Sequence, residues 1–121
     1  MKKNSFTPIS KIGEFELIKK ITNNVISYQK TTKLGVGDDA AIVSFSKNKN
    51  LLVSTDMLVE GIHFDCTYTP LKHLGYKSVV VNVSDICAMN AAPTQATVSI
   101  AIPNKFSVEM IQEIYDGIKL A

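Results

Sequence analysis

Between Leu51 and Asp56 an apolar run, Leu-Leu-Val, ends directly on Ser54-Thr55-Asp56, and Glu60, His63 and Asp65 follow within the next turn or two. A short apolar run of this kind reads as a buried strand, so its polar tip must emerge at the edge of the core. Period-two geometry puts Ser54 and Asp56 on one face of such a strand and Thr55 on the other. Taken alone, Ser54 and Thr55 are hydroxyls that cap the following turn. Carboxylates crowded after a strand need a further reason, because they repel one another unless something positive sits among them.

Two other stretches carry carboxylates of the same kind. Gly35-Val36-Gly37-Asp38-Asp39 is a glycine turn that delivers two aspartates just before an apolar segment. It lacks the Gly-Lys-Ser/Thr ending of a phosphate-binding P-loop, and glycine-aspartate turns are common on surfaces. Asn82-Val83-Ser84-Asp85 falls inside a segment with helical periodicity. Asn82 and Asp85, three positions apart, share a face opposite the apolar stripe, with Ser78 and Met89 in line. An aspartate mid-helix has poor propensity and nothing to cap, so it is either solvated surface or a ligand.

Together the three stretches weigh more than any one. If the fold gathers Asp39, Asp56 and Asp85, each pair at ~4 Å repels by roughly 4 kcal/mol at an effective dielectric near ~20. A domain is stable by only about 5–15 kcal/mol, so such a trio requires compensation. All 13 basic residues are lysines, which leaves no arginine fork to neutralise it. Oxygen-only ligands are the set that Mg²⁺ and Ca²⁺ prefer, and no EF-hand loop pattern is present to favour Ca²⁺. Mg²⁺ is usually held by a few carboxylates together with substrate phosphates, so a phosphorylated ligand is expected beside it.

The rest of the chain fits one compact domain. It has 121 residues, 45% hydrophobic and 20% charged, enough for a core and too apolar for disorder. A net charge of +2 marks neither a nucleic-acid partner nor a membrane surface. An RNA-binding α/β domain would also need an aromatic-rich strand and a basic patch, and both are lacking. Up to Lys33 there are seven lysines against Glu14 and Glu16, whereas Asp38 to Asp65 holds five acids against Lys47 and Lys49, an acidic middle. Cys66 and Cys87 lack metal-ligand spacing and are expected as buried, reduced thiols. Met1-Lys2-Lys3 is not followed by an apolar signal region, and no segment approaches the ~20 apolar residues of a span, so a cytoplasmic location is expected.

Periodicity and punctuation predict the elements. Ser10 caps a helix carrying Phe15, Ile18, Ile21 and Val25. Gln29 to Gly37 is a loop. Ala41 to Phe45 and Leu51 to Asp56 are strands around the turn Ser46 to Asn50. Thr69-Pro70 starts a helix, and Tyr76, Val79, Val80, Val83, Ile86 and Cys87 recur along it at helical spacing, outweighing the strand propensity of Val79-Val80-Val81. Thr94 to Ile102 alternates as a half-buried strand. Ser107 caps a last helix with Val108, Ile111, Tyr115 and Ile118 inward, and that helix reaches Ala121 without a stop signal. The fold class expected is α+β, a mostly antiparallel sheet with helices on one face.

GVGDDAAIV, STDMLVEGIHF and LGYKSVVVNVSDICAMNAAP, in that order and spacing, resemble the thiamine-monophosphate kinases of the aminoimidazole ribonucleotide synthetase superfamily. The resemblance covers about Gly13 to Ile118, and it implies a single N-terminal ATP- and Mg²⁺-binding domain over residues 1–121. It puts Mg²⁺ ligands on Asp39, Ser54, Thr55, Asp56 and Asp85, with Asp38 and Asn82 behind them. It puts recognition of the thiamine phosphate on His63, which by its neighbours alone reads as a packed or surface histidine. It further implies ATP as co-substrate, thiamine monophosphate as acceptor and pairing of two copies through the sheet. The sequence departs from the family in two places. Asn90 stands where Met-Gly-Ala is usual, a variation expected to be tolerated in a turn. The family's Gly-Gly-Asp-Thr turn and C-terminal domain do not occur within the 121 residues. The chain is therefore expected to be the N-terminal part of such an enzyme, inactive by itself.

The chemistry implied is in-line transfer of the γ-phosphoryl group of ATP, for which no catalytic base is assigned. Alternatives are another superfamily member, selenophosphate synthetase or a hydrogenase-maturation protein, and a non-catalytic dimerisation or binding module. No cysteine precedes Cys66, where selenophosphate synthetase carries a reactive residue, and Gly-Ile-His-Phe also favours the thiamine enzyme.

Overall fold

A computed structural model describes residues 8–121. The chain divides into two compact units at the Lys30–Thr31 bond. In the first, a 3₁₀ turn (Ile9–Lys11) leads into α1 (Gly13–Thr22). Ile12, not Ser10, occupies the N-cap, and no side chain caps the helix. Ser10 is taken up in the 3₁₀ turn, and α1 stops before Val25. No residue of α1 is buried, and of the expected apolar stripe Phe15, Ile21 and Val25 are exposed while Ile18 is half-buried.

The second unit holds β1 (Thr32–Leu34), β2 (Ala41–Ser46), β3 (Lys49–Val53), α2 (Leu71–Ala88) and α3 (Val108–Leu120). The strands form one antiparallel sheet in the order β1-β2-β3. β1 lies where a loop was expected; Thr-Lys-Leu is too short and polar to signal a strand, and it forms by pairing Thr32 with Val43 and Leu34 with Ile42. β2 and β3 close as a hairpin with Ser46 opposite Lys49, a tighter turn than the sequence implied. β3 ends at Val53, so Ser54-Thr55-Asp56 lies beyond the ladder rather than within it.

Helix α2 overrides its three consecutive valines, as helical periodicity predicts. It starts at Leu71 with Pro70 at the N-cap; Thr69 caps nothing and instead accepts a 3.4 Å bond from the Asp65 N–H. At its other end Asn90 takes φ 56°, with its N–H on the Cys87 carbonyl and the Ala91 N–H on that of Ile86. This is a Schellman closure, and asparagine is among the few side chains that accept the left-handed conformation it demands.

The core is small. Ala40, Leu74 and Ile114 are the buried hydrophobic residues among those described. α2 and α3 meet through glycines: a Cβ on Gly75 would run into the Ile114 carbonyl oxygen, and one on Gly117 into that of Lys72. The inward face of α3 is consequently Ile114 and Gly117, while Val108 and Tyr115, expected inside, are exposed. Ser107 caps α3 as expected, accepting from the Met110 N–H at 3.4 Å. Thr94 to Ile102 forms no strand among the described residues. Its alternation is genuine but it has no ladder partner, and Val98, Ile100 and Ile102 stand exposed. Both cysteines are free, though Cys66 is only half-buried and Cys87 is exposed, not buried as expected.

Candidate functional site

The register of the hairpin decides where the polar segments emerge. Ala41 pairs with Val53, so the loop bearing Asp38 and Asp39 enters β2 at the same end of the sheet at which Ser54-Thr55-Asp56 leaves β3. The strand tip then lies on α2. Ser54 Oγ donates to Asp85 Oδ2 at 2.9 Å, across 31 residues of chain. One turn earlier on the helix, Asn82 Oδ1 accepts the Asp56 N–H at 3.0 Å, while its Nδ2 donates to the Ser78 carbonyl at 3.0 Å. Asn82 is thereby held at both ends of its amide and fixes the backbone at Asp56.

Three residues reach this junction for separate sequence reasons. Ser54 follows an apolar strand that stops at Val53, and Asn82 and Asp85 continue, at helical spacing, the face of α2 that begins with the buried Leu74 and Gly75. Asp85, Ser54 and Asn82 are half-buried, whereas Asp39, Thr55 and Asp56 face solvent. Asp38 turns back on its own loop, its Oδ1 accepting the Asp39 N–H at 2.9 Å. The three carboxylates of Asp39, Asp56 and Asp85 are not gathered into a ligand cage: among the described residues no three His, Cys, Asp or Glu side chains are grouped to hold a metal ion. Joined instead are Ser54 with Asp85 and Asp56 with Asn82. Like charges lower their energy by spreading toward water, and two of the three do so. The donors at this end of the sheet remain all oxygen, the chemistry of a hard cation.

His63 lies in the loop between β3 and α2. Its Nδ1 accepts the Val59 N–H at 3.0 Å, its own N–H donates to the Val59 carbonyl at 2.9 Å, and its carbonyl accepts from Lys77 Nζ at 2.7 Å. Gly61, Ile62, His63, Phe64, Asp65 and Tyr68 line a shallow cavity of about 170 Å³. At its rim the Thr67 hydroxyl and N–H donate to Asp65 Oδ1 at 2.6 and 2.8 Å. Those bonds, the hydroxyl's first, hold the Asp65 carboxyl below its ordinary pKa, with the Lys105 charge helping. Burial beside Glu60 pushes the Cys66 thiol up, away from thiolate chemistry. Lys77 escaped the sequence reading; its signal was its position on α2, one residue from Ser78 and one turn and a half before Asn82.

Residues 37–121 match the family model described as AIR synthase related protein, N-terminal domain. Two similar relatives are named thiamine-monophosphate kinase. That of Buchnera aphidicola subsp. Schizaphis graminum is 50% identical over 96 residues, 79% of this chain and 29% of the relative. That of Bacillus subtilis is 37% identical over 106 residues, 88% of this chain and 32% of the relative. The solved structure described as "AaThiL complexed with AMPPCP and TMP" superposes with a TM-score of 0.77 at 35% identity, over 96% of this chain and 35% of that one. The chain thus spans about a third of the length of the proteins it matches. Its α+β architecture is that of the matched domain, and it belongs to the AIR synthase related protein family, as an N-terminal domain.

Proposed function

We propose that this chain is the N-terminal part of a thiamine-monophosphate kinase, which passes the γ-phosphoryl group of ATP to thiamine monophosphate and yields thiamine diphosphate. The observation that carries the reading is the junction of strand tip and helix through the Ser54–Asp85 and Asp56–Asn82 bonds. It stands at one end of the sheet in a chain similar to proteins bearing that name. Asp39, Ser54, Thr55, Asp56 and Asp85 are the residues proposed to hold Mg²⁺, with Asp38 and Asn82 supporting them. Their oxygen-only donor set fits that ion. When bound, Mg²⁺ supplies screening between two polyanions and stabilises charge in the transfer.

The protein's own share is positioning. The acceptor's nucleophile is a phosphate oxygen with second pKa near ~6, ionised at neutral pH, so no residue need serve as base. His63 is proposed to meet that phosphate: with Nδ1 engaged by the Val59 N–H, the neutral ring keeps its proton on Nε2 for donation. The enzyme is proposed to work in the cytoplasm as a homodimer joined through the sheet. The direct test is ADP release on adding thiamine monophosphate, ATP and Mg²⁺ to the full-length enzyme. Release that requires thiamine monophosphate supports the assignment. Release that ignores it but responds to selenide or another acceptor moves the chain elsewhere in the family.

A further inference from the structure

We propose that Lys77 is a positioning residue, which holds His63 in register with the helix that carries Asn82 and Asp85. The inference rests on the reading that His63 meets the acceptor phosphate. Within its loop His63 is bonded at ring and backbone alike, through Nδ1 and N–H to Val59, and Gly61 closes the loop with a 2.8 Å bond to the Phe64 carbonyl. These bonds shape the loop but do not tie it to the helices. The Ser54 and Asp56 bonds hold the start of the segment on α2, and the tie to α2 at His63 itself is Lys77 Nζ on the His63 carbonyl at 2.7 Å, a short charge-assisted bond. The tie toward α3 is the Lys105–Glu60 pair at 3.6 Å, long and solvent-exposed, and worth little.

The consequence is geometric. A group held in place before its ligand arrives contributes more to affinity than one that must be ordered on binding. With Lys77 in place, the ring that would meet the acceptor and the carboxylate of Asp85 hang from the same rigid helix. Without it, the loop has lost its anchor on α2 near His63, its own hydrogen bonds open more often, and the effect falls on acceptor binding rather than on the transfer itself.

Lys77→Met removes the donor, and Lys77→Arg keeps one. Ring ¹⁵N shifts of His63 and exchange of the Val59 amide report the loop directly, without turnover. The wild type is expected to show a single Nε2–H tautomer and a protected Val59 amide. Lys77→Met mixes the tautomers and speeds that exchange about tenfold, and Lys77→Arg restores both. In the full-length enzyme, Lys77→Met raises KM for thiamine monophosphate about tenfold while kcat and KM for ATP hold, and adding it to His63→Gln costs nothing more. Unchanged His63 and Val59 signals in Lys77→Met, with α2 amide shifts intact, overturn the inference. Altered signals with no change in that KM from either Lys77→Met or His63→Gln leave Lys77 as the positioner and sink the acceptor reading instead.

Discussion

Asp56 illustrates how one side chain is separated from its own backbone. Its N–H is spent on Asn82, which leaves the carboxylate free in solvent and removable without disturbing the junction. Asp56→Asn should therefore leave the unfolding transition in place while ADP release with thiamine monophosphate falls roughly a hundredfold or more. Near-normal turnover would refute the role given to Asp56. Asp65 is the opposite case, a carboxylate whose bonds serve stability. Its pKa is lowered chiefly by the Thr67 hydroxyl, so its contribution is present above the ordinary carboxylate range and is lost as pH falls through the lower, folded value. Thr67→Val takes away that hydroxyl and lets Asp65 protonate sooner. The acid unfolding midpoint followed by circular dichroism should move to higher pH, and superimposable acid curves would remove Asp65 from the account. The sequence carried the identity of these acids but not their partners: no spacing announces that Ser54 will reach Asp85, because the bond spans a hairpin tip and a helix face.

Among the elements, α2 was the most legible, since its long period outweighs three β-branched residues, and Asn90 was expected only as a tolerated variation in a turn. That asparagine sits at φ 56°, where a Cβ without a polar partner costs about 1–2 kcal/mol. Asn90→Ala should lower stability by about 1 kcal/mol in urea unfolding and Asn90→Gly by nothing measurable, with equal losses arguing against the Schellman account. The α2–α3 crossing was illegible by contrast. Gly75 and Gly117 look like weak points in helices, and their purpose shows only when each lies against the other helix's carbonyl. Gly117→Ala has backbone in its way, so a loss of about 1–3 kcal/mol is expected, with a lowered urea midpoint at unchanged slope. A midpoint at the wild-type value would mean the helices do not approach so closely. β1 was missed because its residues become a strand only by pairing with β2. Thr94 to Ile102 was overcalled because alternation records which face would be apolar, not whether a partner strand exists.

At the scale of the unit from Thr31 to Ala121, the three buried hydrophobic residues are few beside the apolar surface left open. Leu51 and Val53 share one face of β3 by its period of two, and they are 49% and 51% exposed, with Phe45 on β2 at 75%. Val98, Ile100 and Ile102 add a second apolar row on an unpaired segment. A sheet face of this kind, next to a segment with strand alternation but no ladder, is what pairing of two copies through the sheet would cover. If so, association should bring order as well as burial. Sedimentation should give a dimer at micromolar concentration, and Leu51→Lys should shift it to monomer, since a buried lysine without a partner is costly at an interface. In the same variant the amides from Thr94 to Ile102 should exchange faster than in the wild type, because a strand that lacks its ladder leaves its N–H groups to water. A wild-type monomer at every concentration would end the proposal of a homodimer. A Leu51→Lys variant that stays dimeric would move the interface off this face of the sheet.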